Sequence, residues 1–140
     1  MNTYRIEELS VGMKESFSKT VTAEMMEKFY QVTGDANPLH RDPEFARMGG
    51  FIDRVVYGML TASFISTLGG CYLPGRYCLI QGMEIKFARP VYIGDRLHIE
   101  GEVRRVDPDL KYTEIKVTIR NQDHEKVLRG ILKAGVSDER

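Results

Sequence analysis

The sequence predicts an α+β fold in which an antiparallel sheet covers one apolar helix. In the first half of the chain apolar residues recur at helical spacing, whereas in the second half they alternate with polar residues. Between the halves lies the window 55–75, which contains no charged residue although charged residues make up 29% of the chain. Because alternating strands need a partner for their apolar face, the uncharged helix is predicted to pack there.

Length and charge restrict the function classes. A chain of 140 residues fits one domain, spanning 1–140. The formal net charge of zero gives no field that would attract nucleic acid, and it does little to oppose self-association.

The sequence predicts neither a membrane span nor a metal site. Window 55–75 is long enough to cross a bilayer, but small and polar residues interrupt it, which favours a buried helix. The N-terminal residues lack an apolar signal region, so we expect a cytoplasmic protein. Cys71 and Cys78 lack the spacing and companions of a zinc site, which predicts two reduced, half-buried thiols.

The first predicted helix covers 21–33. Its apolar residues follow the i, i+3, i+4, i+7 pattern of an amphipathic helix. Thr22 is the predicted N-cap, and Gly34 ends the helix.

The segment after this helix is predicted to be a stiff, non-helical loop over 35–40. Pro38 has a fixed φ and disfavours the α region for the residue before it. Asp42 and Pro43 then predict the start of a short helix that runs to about Arg47 and ends at the next two glycines.

The apolar helix is predicted from Gly58 to about Leu68. Its apolar residues cover nearly the whole circumference, so protein is expected on all sides. Gly69 and Gly70 are predicted to end it, and a turn follows at Pro74.

The strands follow from period-two alternation. Three runs alternate, around 82–87, 97–103 and 115–119, and a last strand is predicted for 126–136. Turn residues separate the later runs. The order of helices first and strands afterwards is typical of an α+β domain.

Asp35 and His40 are the candidate acid–base pair. A carboxylate and an imidazole in fixed register can hold one water between them, with one group taking a proton and the other giving one. An imidazole suits this task because both of its protonation states are accessible near neutral pH. The alternative is purely structural, with Asp35 in an Asx-turn and residues 37–38 in an ordinary turn.

Gly58 and Ser66 are candidates on the apolar helix. At a helix N-terminus unpaired backbone N–H groups suit a carbonyl oxygen that gains negative charge, and glycine allows close approach. Alternatively, Gly58 serves only a tight turn. The Ser66 hydroxyl needs a partner if buried, which is more often the carbonyl one turn back than a ligand. His98 and His124 are expected to be solvated.

Three stretches carry a resemblance to a known family. Residues 30–40, YQVTGDANPLH, resemble the hydratase motif of the MaoC-like, (R)-specific enoyl-CoA hydratases. Residues 55–60, VVYGML, are similar to the family's entry to its central helix. Residues 87–97, FARPVYIGDRL, are similar to its F-x-x-P-V-x-x-G-D turn. Together the resemblance covers roughly residues 5–136 of the chain.

The resemblance implies a hot dog fold, an antiparallel sheet wrapped around one helix, usually in a homodimer. It implies that Asp35 and His40 are the catalytic pair and that Asn37 orients their loop. It also implies that the Gly58 N–H binds the thioester carbonyl and that Ser66 lies close to the acidic residue. In two places the chain departs from the family: Tyr57 stands where a histidine is common, and a frequent upstream proline is absent.

The implied activity is reversible, cofactor-free hydration of a trans-2-enoyl thioester to the (R)-3-hydroxyacyl thioester. The acyl carrier is CoA or acyl carrier protein. Basic residues of the second half are candidates for contacts with CoA phosphates, although scattered arginines on strands are often simply solvated. They are Arg76, Lys86, Arg89, Arg104 and Arg105.

Two other function classes stay open at this point. A thioesterase on the same fold would need a carboxylate on the central helix, and window 55–75 has none. A non-catalytic module that binds acyl thioesters would keep the fold without needing both Asp35 and His40.

Overall fold

The computed structural model describes residues 1–138, and their main feature is a five-stranded antiparallel sheet. The strands are β1 (Lys14–Thr20), β2 (Cys78–Phe87), β3 (Arg96–Asp107), β4 (Tyr112–Arg120) and β5 (Lys126–Val136). Their order across the sheet is β1-β3-β4-β5-β2, so β1 and β2 are the edge strands.

Residues 1–138 also contain four α-helices. They are α1 (Ala23–Thr33), α2 (Pro38–Arg41), α3 (Pro43–Met48) and α4 (Gly58–Thr67). A short 3₁₀ turn at Ile6–Glu8 precedes β1, and a π-helical turn at Leu68–Tyr72 continues α4. Within residues 1–138 no helix is long and apolar enough to cross a membrane.

The sheet packs around α4, as predicted. Leu60, Ile65 and Leu68 are buried against the inner face of the sheet. At Gly101 of β3 a Cβ atom would lie 3.0 Å from the side chain of Leu68, the first residue of the π-helical turn, so the end of the helix approaches the sheet as closely as its side chains allow. The inner face itself is a continuous apolar layer. It includes Leu97, Ile99, Val103, Ile115, Val117, Ile119, Leu128 and Leu132.

One side of α4 is nevertheless open, so the prediction that protein surrounds this helix on all sides is wrong. Met59 is 62% exposed, and Ser63 and Ser66 are also exposed. These residues are spaced by four and three positions, which places them on one face of the helix. The helix therefore has a buried face and a face that lines a cavity.

The caps of α1 and α3 confirm their predicted starts. The Thr22 hydroxyl accepts a hydrogen bond from the Met25 N–H, and Gly34 ends α1 with φ of 71°. The Asp42 carboxylate accepts from the N–H groups of Glu44 and Phe45 at the start of α3.

Three local predictions were wrong or incomplete. Residues 35–40 are not entirely a loop, because Pro38 begins α2: at the first helical position the missing N–H of a proline costs nothing. The two glycines after Leu68 do not end the helix abruptly but lie within the π-helical turn. Strand β1 was not predicted, since Phe17 is its only large apolar residue.

Candidate active site

Asp35, His40 and Gly58 line one cavity of about 690 Å³. The chain brings them together because α1 ends just before Asp35, α2 carries His40, and Gly58 is the first residue of α4. Most of the remaining lining is apolar. It includes Phe29, Tyr57, Met59, Ala62, Met83, Ile85 and Phe87, together with Ser63 and Ser66.

Asp35 lies on the exposed segment between α1 and α2. Its Oδ1 accepts a hydrogen bond from the Asn37 N–H at 3.1 Å, and its own N–H donates to the Thr33 hydroxyl. The Asx-turn considered in the sequence therefore exists, but it uses only one carboxylate oxygen. The residue also lines the cavity, so the Asx-turn does not conflict with the predicted acid–base role, which stays a prediction.

Asn37 fixes the start of α2. Its side-chain oxygen accepts from the Leu39 N–H at 3.0 Å, and its carbonyl oxygen accepts from the His40 N–H at 3.0 Å. The backbone of His40 is thus set relative to Asn37, and through the Asx-turn relative to Asp35.

The imidazole of His40 has a defined tautomer. Its Nδ1 lies 2.7 Å from the carbonyl oxygen of Val55. A carbonyl oxygen only accepts hydrogen bonds, so Nδ1 carries the hydrogen. In the neutral ring, Nε2 then has a free lone pair that can accept a proton.

Arg41 holds α2 against α1. Its guanidinium lies over the Tyr30 ring, 3.6 Å from the ring centre, and pairs with the Glu27 carboxylate at 3.4 Å. The interaction with the Tyr57 hydroxyl, and next to it the charge of Glu27, raises the pKa of the Arg41 guanidinium above its usual value. Arg41 therefore stays charged at any working pH.

Tyr57 contacts both members of the candidate pair, which sequence reasoning did not foresee. The residue is 1% exposed. Its hydroxyl donates to the Asp35 carbonyl oxygen at 2.6 Å, and its ring centre lies 4.3 Å from that of His40. In the sequence, Tyr57 was notable only as a departure from a family pattern, and no local spacing indicated these contacts.

The two serines on the open face of α4 differ in their bonding. Ser63 donates its hydroxyl to the Leu60 carbonyl at 2.6 Å. Ser66, which the sequence placed on a buried helix, is exposed and lines the same cavity as Asp35. The expectation of a buried hydroxyl was wrong, because the face of α4 that carries Ser66 is not covered by the sheet.

A second cavity of about 280 Å³ adjoins the first and shares His40, Gly58 and Phe87 with it. Thr61 also lines it; this residue is 2% exposed, and its hydroxyl has no hydrogen-bond partner among the described residues. Arg89 completes the wall. This second cavity was not predicted from the sequence.

Of the five basic residues considered for CoA phosphates, Arg89 is the one that lines a cavity next to His40. Its guanidinium pairs with Glu125 at 3.0 Å. Lys86 and Arg104 line a different cavity, on the outer face of the sheet. Arg105 pairs with acidic neighbours on its own face, and Arg76 is exposed near the N-terminal residues.

The cysteines and the other histidines lie outside the candidate site. Cys71 and Cys78 are unpaired and half-buried, as predicted, and burial raises the pKa of the Cys78 thiol to about 11. His98 and His124 are exposed, also as predicted. No group of three or more potential metal ligands occurs among residues 1–138.

Comparison with known proteins identifies close relatives. The model of the MaoC-like domain matches residues 8–127. An (R)-specific enoyl-CoA hydratase from Aeromonas caviae is 37% identical over 114 residues, covering 81% of this chain and 85% of the relative. A 3-hydroxybutyryl-CoA dehydratase from Methylorubrum extorquens is 33% identical over 124 residues, covering 89% and 78%.

The fold has a close match among solved structures. The unliganded R-hydratase from Pseudomonas aeruginosa superimposes with a TM-score of 0.89 at 30% identity, covering 96% of this chain and 86% of that one. An antiparallel sheet around a central helix is thus the hot dog arrangement that the sequence predicted.

Proposed function

The chain belongs to the MaoC-like domain family, and we propose that it catalyses the (R)-specific hydration of trans-2-enoyl thioesters to (R)-3-hydroxyacyl thioesters, together with the reverse dehydration. It is thus a hydro-lyase. The observation that carries the proposal is the single cavity onto which Asp35, His40 and the first residue of α4 converge.

Asp35 and His40 are the acid–base pair in this proposal. They hold the water, and one of them accepts the proton that the water loses as its oxygen bonds to C3. The pair returns one proton to C2, so the site ends the turnover with the protons it began with. The free Nε2 lone pair of neutral His40 supports this role, since it is available to a bound water.

Gly58 provides the electrostatic part of the mechanism. As water attacks, negative charge develops on the thioester carbonyl oxygen. The N–H groups of the first turn of a helix have no intrahelical acceptor, and the dipole of α4 favours negative charge at this end. In α4 the N–H groups of Leu60 and Thr61 donate to the Tyr57 carbonyl. No side chain caps the N–H groups of Gly58 and Met59, which leaves these two for the substrate oxygen. Asn37 and Ser66 support the site, Asn37 through the start of α2 and Ser66 from the cavity wall.

CoA is the carrier that we propose for the substrate, since the relatives described above are named for CoA thioesters. Arg89 is the residue best placed to meet a phosphate, because it lines the cavity that adjoins His40 and Gly58. A lower KM for crotonyl-CoA than for crotonyl-acyl carrier protein supports CoA, and the reverse order contradicts it.

We include a homodimer in the proposal. Strand β2 is an edge of the sheet, and two of its apolar side chains, Leu79 and Ile80, are 62% and 38% exposed. Met59 on the open face of α4 is also 62% exposed. A second copy that covers these side chains would remove apolar surface from water. Sedimentation velocity tests this; a fully active monomer at assay concentration contradicts it.

The unpaired cysteines support a reducing compartment, for which we propose the cytoplasm.

The decisive experiment follows crotonyl-CoA with two separate readouts. Loss of the ultraviolet absorbance of the conjugated thioester measures hydration, and a thiol reagent measures hydrolysis. We expect hydration without free thiol, with the (R) product on a chiral column. Thiol release would instead indicate the thioesterase, for which α4 has no carboxylate. Neither signal would indicate a binding module.

The variants Asp35→Asn and His40→Ala test the assignment of the pair. General acid–base groups contribute about 10²–10⁴-fold each, so either change is expected to reduce hydration by at least about 10²-fold. His98→Ala is the matched control, because His98 is exposed on the sheet away from the cavity. Wild-type hydration in a folded Asp35→Asn or His40→Ala protein contradicts the assignment.

A further inference from the structure

We propose that Tyr57 is a positioning residue that sets Asp35 and His40 relative to each other. Its hydroxyl holds the main chain of Asp35, and its ring holds the plane of the His40 imidazole. The inference deepens the proposed function and rests on it for the roles of the two residues.

The hydroxyl of Tyr57 is the long-range anchor of the segment that carries Asp35. The other hydrogen bonds of Asp35 described above are local, to Thr33 and Asn37. The bond from the Tyr57 hydroxyl to the Asp35 carbonyl, at 2.6 Å, crosses 22 residues and ties this exposed segment to the start of α4. Without it, the position of the carboxylate would depend on local turns alone.

The ring of Tyr57 fixes what the hydrogen bond of His40 leaves free. The contact between Nδ1 and the Val55 carbonyl oxygen holds one atom of the imidazole, but the ring can still rotate about that contact. The Tyr57 ring packs against the imidazole with centres 4.3 Å apart and planes inclined by 32°. Phe29 packs beside Tyr57, with ring centres 4.7 Å apart. The direction of Nε2 therefore depends on two contacts, one of them with Tyr57.

Tyr57 also lies next to the third part of the candidate site, the N-terminus of α4. Tyr57 is the N-cap residue of α4, directly before Gly58. One buried side chain thus links the main chain of Asp35, the imidazole of His40 and the start of α4. The relative positions of these groups matter because a misplacement of about 1 Å can cost about 10²-fold in rate.

Two substitutions separate the contributions of the hydroxyl and the ring. Tyr57→Phe removes the hydroxyl and keeps the ring, so we expect kcat for crotonyl-CoA to fall about tenfold while KM changes less than about twofold. Tyr57→Leu removes both contacts and is expected to lower kcat by about 10²-fold. Tyr72→Phe is the matched control, because Tyr72 stacks on Phe17, outside the candidate site.

Comparing kcat per folded molecule with the melting temperature distinguishes a positioning role of Tyr57 from a purely structural one. If Tyr57 only stabilised the fold, kcat per folded molecule would stay at the wild-type value while the melting temperature fell. An unchanged kcat in folded Tyr57→Phe overturns the proposal, as does a loss that merely tracks the folded fraction.

A readout without turnover separates this inference from the proposed function. Stacking on an aromatic ring moves the imidazole proton resonances of His40 upfield relative to those of exposed His98 and His124. We expect this displacement in the wild-type protein and its loss in Tyr57→Leu. Should Tyr57→Leu fail to fold, the wild-type spectrum still decides, because a His40 resonance at the position of His98 and His124 overturns the stacking. If the wild-type protein shows the upfield displacement but does not hydrate crotonyl-CoA, the contact between Tyr57 and His40 exists and the proposed function is wrong. The role of Tyr57 in positioning a catalytic pair is then wrong as well.

Discussion

The ring of Phe87 lies directly against the backbone of Gly58. A Cβ atom at Gly58 would be 3.1 Å from Cε1 and 3.2 Å from Cζ of that ring. Phe87 is 54% exposed and lines both the cavity with Asp35 and the adjoining cavity with Thr61. The close approach therefore places an aromatic ring at the boundary of the two cavities, next to the N–H groups of α4.

Gly58→Ala is expected to displace this ring. The added methyl group meets Phe87 closer than an ordinary contact allows, and the half-exposed ring can move. We expect kcat/KM for crotonyl-CoA to fall about tenfold, since the ring moves into space that the substrate needs; one tenfold step is about 1.4 kcal/mol of transition-state binding. The free energy of unfolding should change by less than about 1 kcal/mol, because the higher helix propensity of alanine, worth up to about 1 kcal/mol, offsets part of the cost of the close contact.

The double variant Gly58→Ala with Phe87→Leu is the internal control. A smaller side chain at position 87 leaves room for the methyl group. The loss of kcat/KM in the double variant should therefore be smaller than the sum, in free energy, of the losses in the two single variants. Strict additivity would show that the two residues act independently and that the ring does not carry the effect.

His40→Asn is expected to separate the structural contact of His40 from its chemistry. An asparagine amide can still donate to the Val55 carbonyl, in place of Nδ1, but it has no atom at the position of Nε2. We therefore expect a melting temperature close to wild type and a loss of hydration of at least about 10²-fold. A variant that retains hydration would show that Nε2 takes no part in the proton transfer.

The helices and strands with strong periodicity could be predicted from the sequence. Strand β5 has the predicted bounds, and α1 has its predicted N-cap, because alternation and capping are local signals. Strand β1 could not be predicted in this way: it lies at the edge of the sheet with mostly exposed residues, and its position depends on pairing with β3.

The site was predictable in part. Spacing and the stiffness of Pro38 singled out Asp35 and His40, and both line one cavity. The contacts of Tyr57 depend on how α1, α2 and α4 pack, so no spacing in the sequence indicates them. The open face of α4 was missed for a similar reason: apolar composition predicts burial, but it does not reveal that one face of the helix lines a cavity.

Cys78 is expected to react slowly with alkylating reagents. Burial raises the pKa of its thiol from 9.0 to about 11, so only about one molecule in a thousand carries the thiolate at pH 8. Labelling by iodoacetamide, followed by mass spectrometry of the Cys78 peptide, should accelerate about tenfold per pH unit from 8 to 10. The guanidinium-unfolded protein is the control and should label faster at pH 8. Equal rates in the two states would contradict the shift.

The raised pKa of the Cys78 thiol also makes the stability of the protein depend on pH. Because the folded pKa of Cys78 lies above the unfolded value, the protonated thiol favours the folded state below pH 9. This contribution is lost as the pH rises from 9 through about 11. Cys78→Ala should therefore have a weaker dependence of its unfolding free energy on pH in that range than the wild-type protein.

Thr61→Val is expected to maintain or raise stability, whereas Thr113→Val should lower it. Both threonines are buried, with exposed fractions of 2% and 0%. The Thr61 hydroxyl has no partner among the described residues, so replacing it with a methyl group removes a desolvated polar atom, for a gain of up to about 1 kcal/mol. The Thr113 hydroxyl donates to the Arg105 carbonyl at 2.8 Å, so the substitution removes this hydrogen bond and is expected to cost about 0.5–1.5 kcal/mol. Urea unfolding of the two variants measures the difference directly, with equal m-values as the check on the unfolded state. A loss of stability in Thr61→Val as large as that in Thr113→Val would show that the Thr61 hydroxyl is bonded in solution, for example to water in the second cavity.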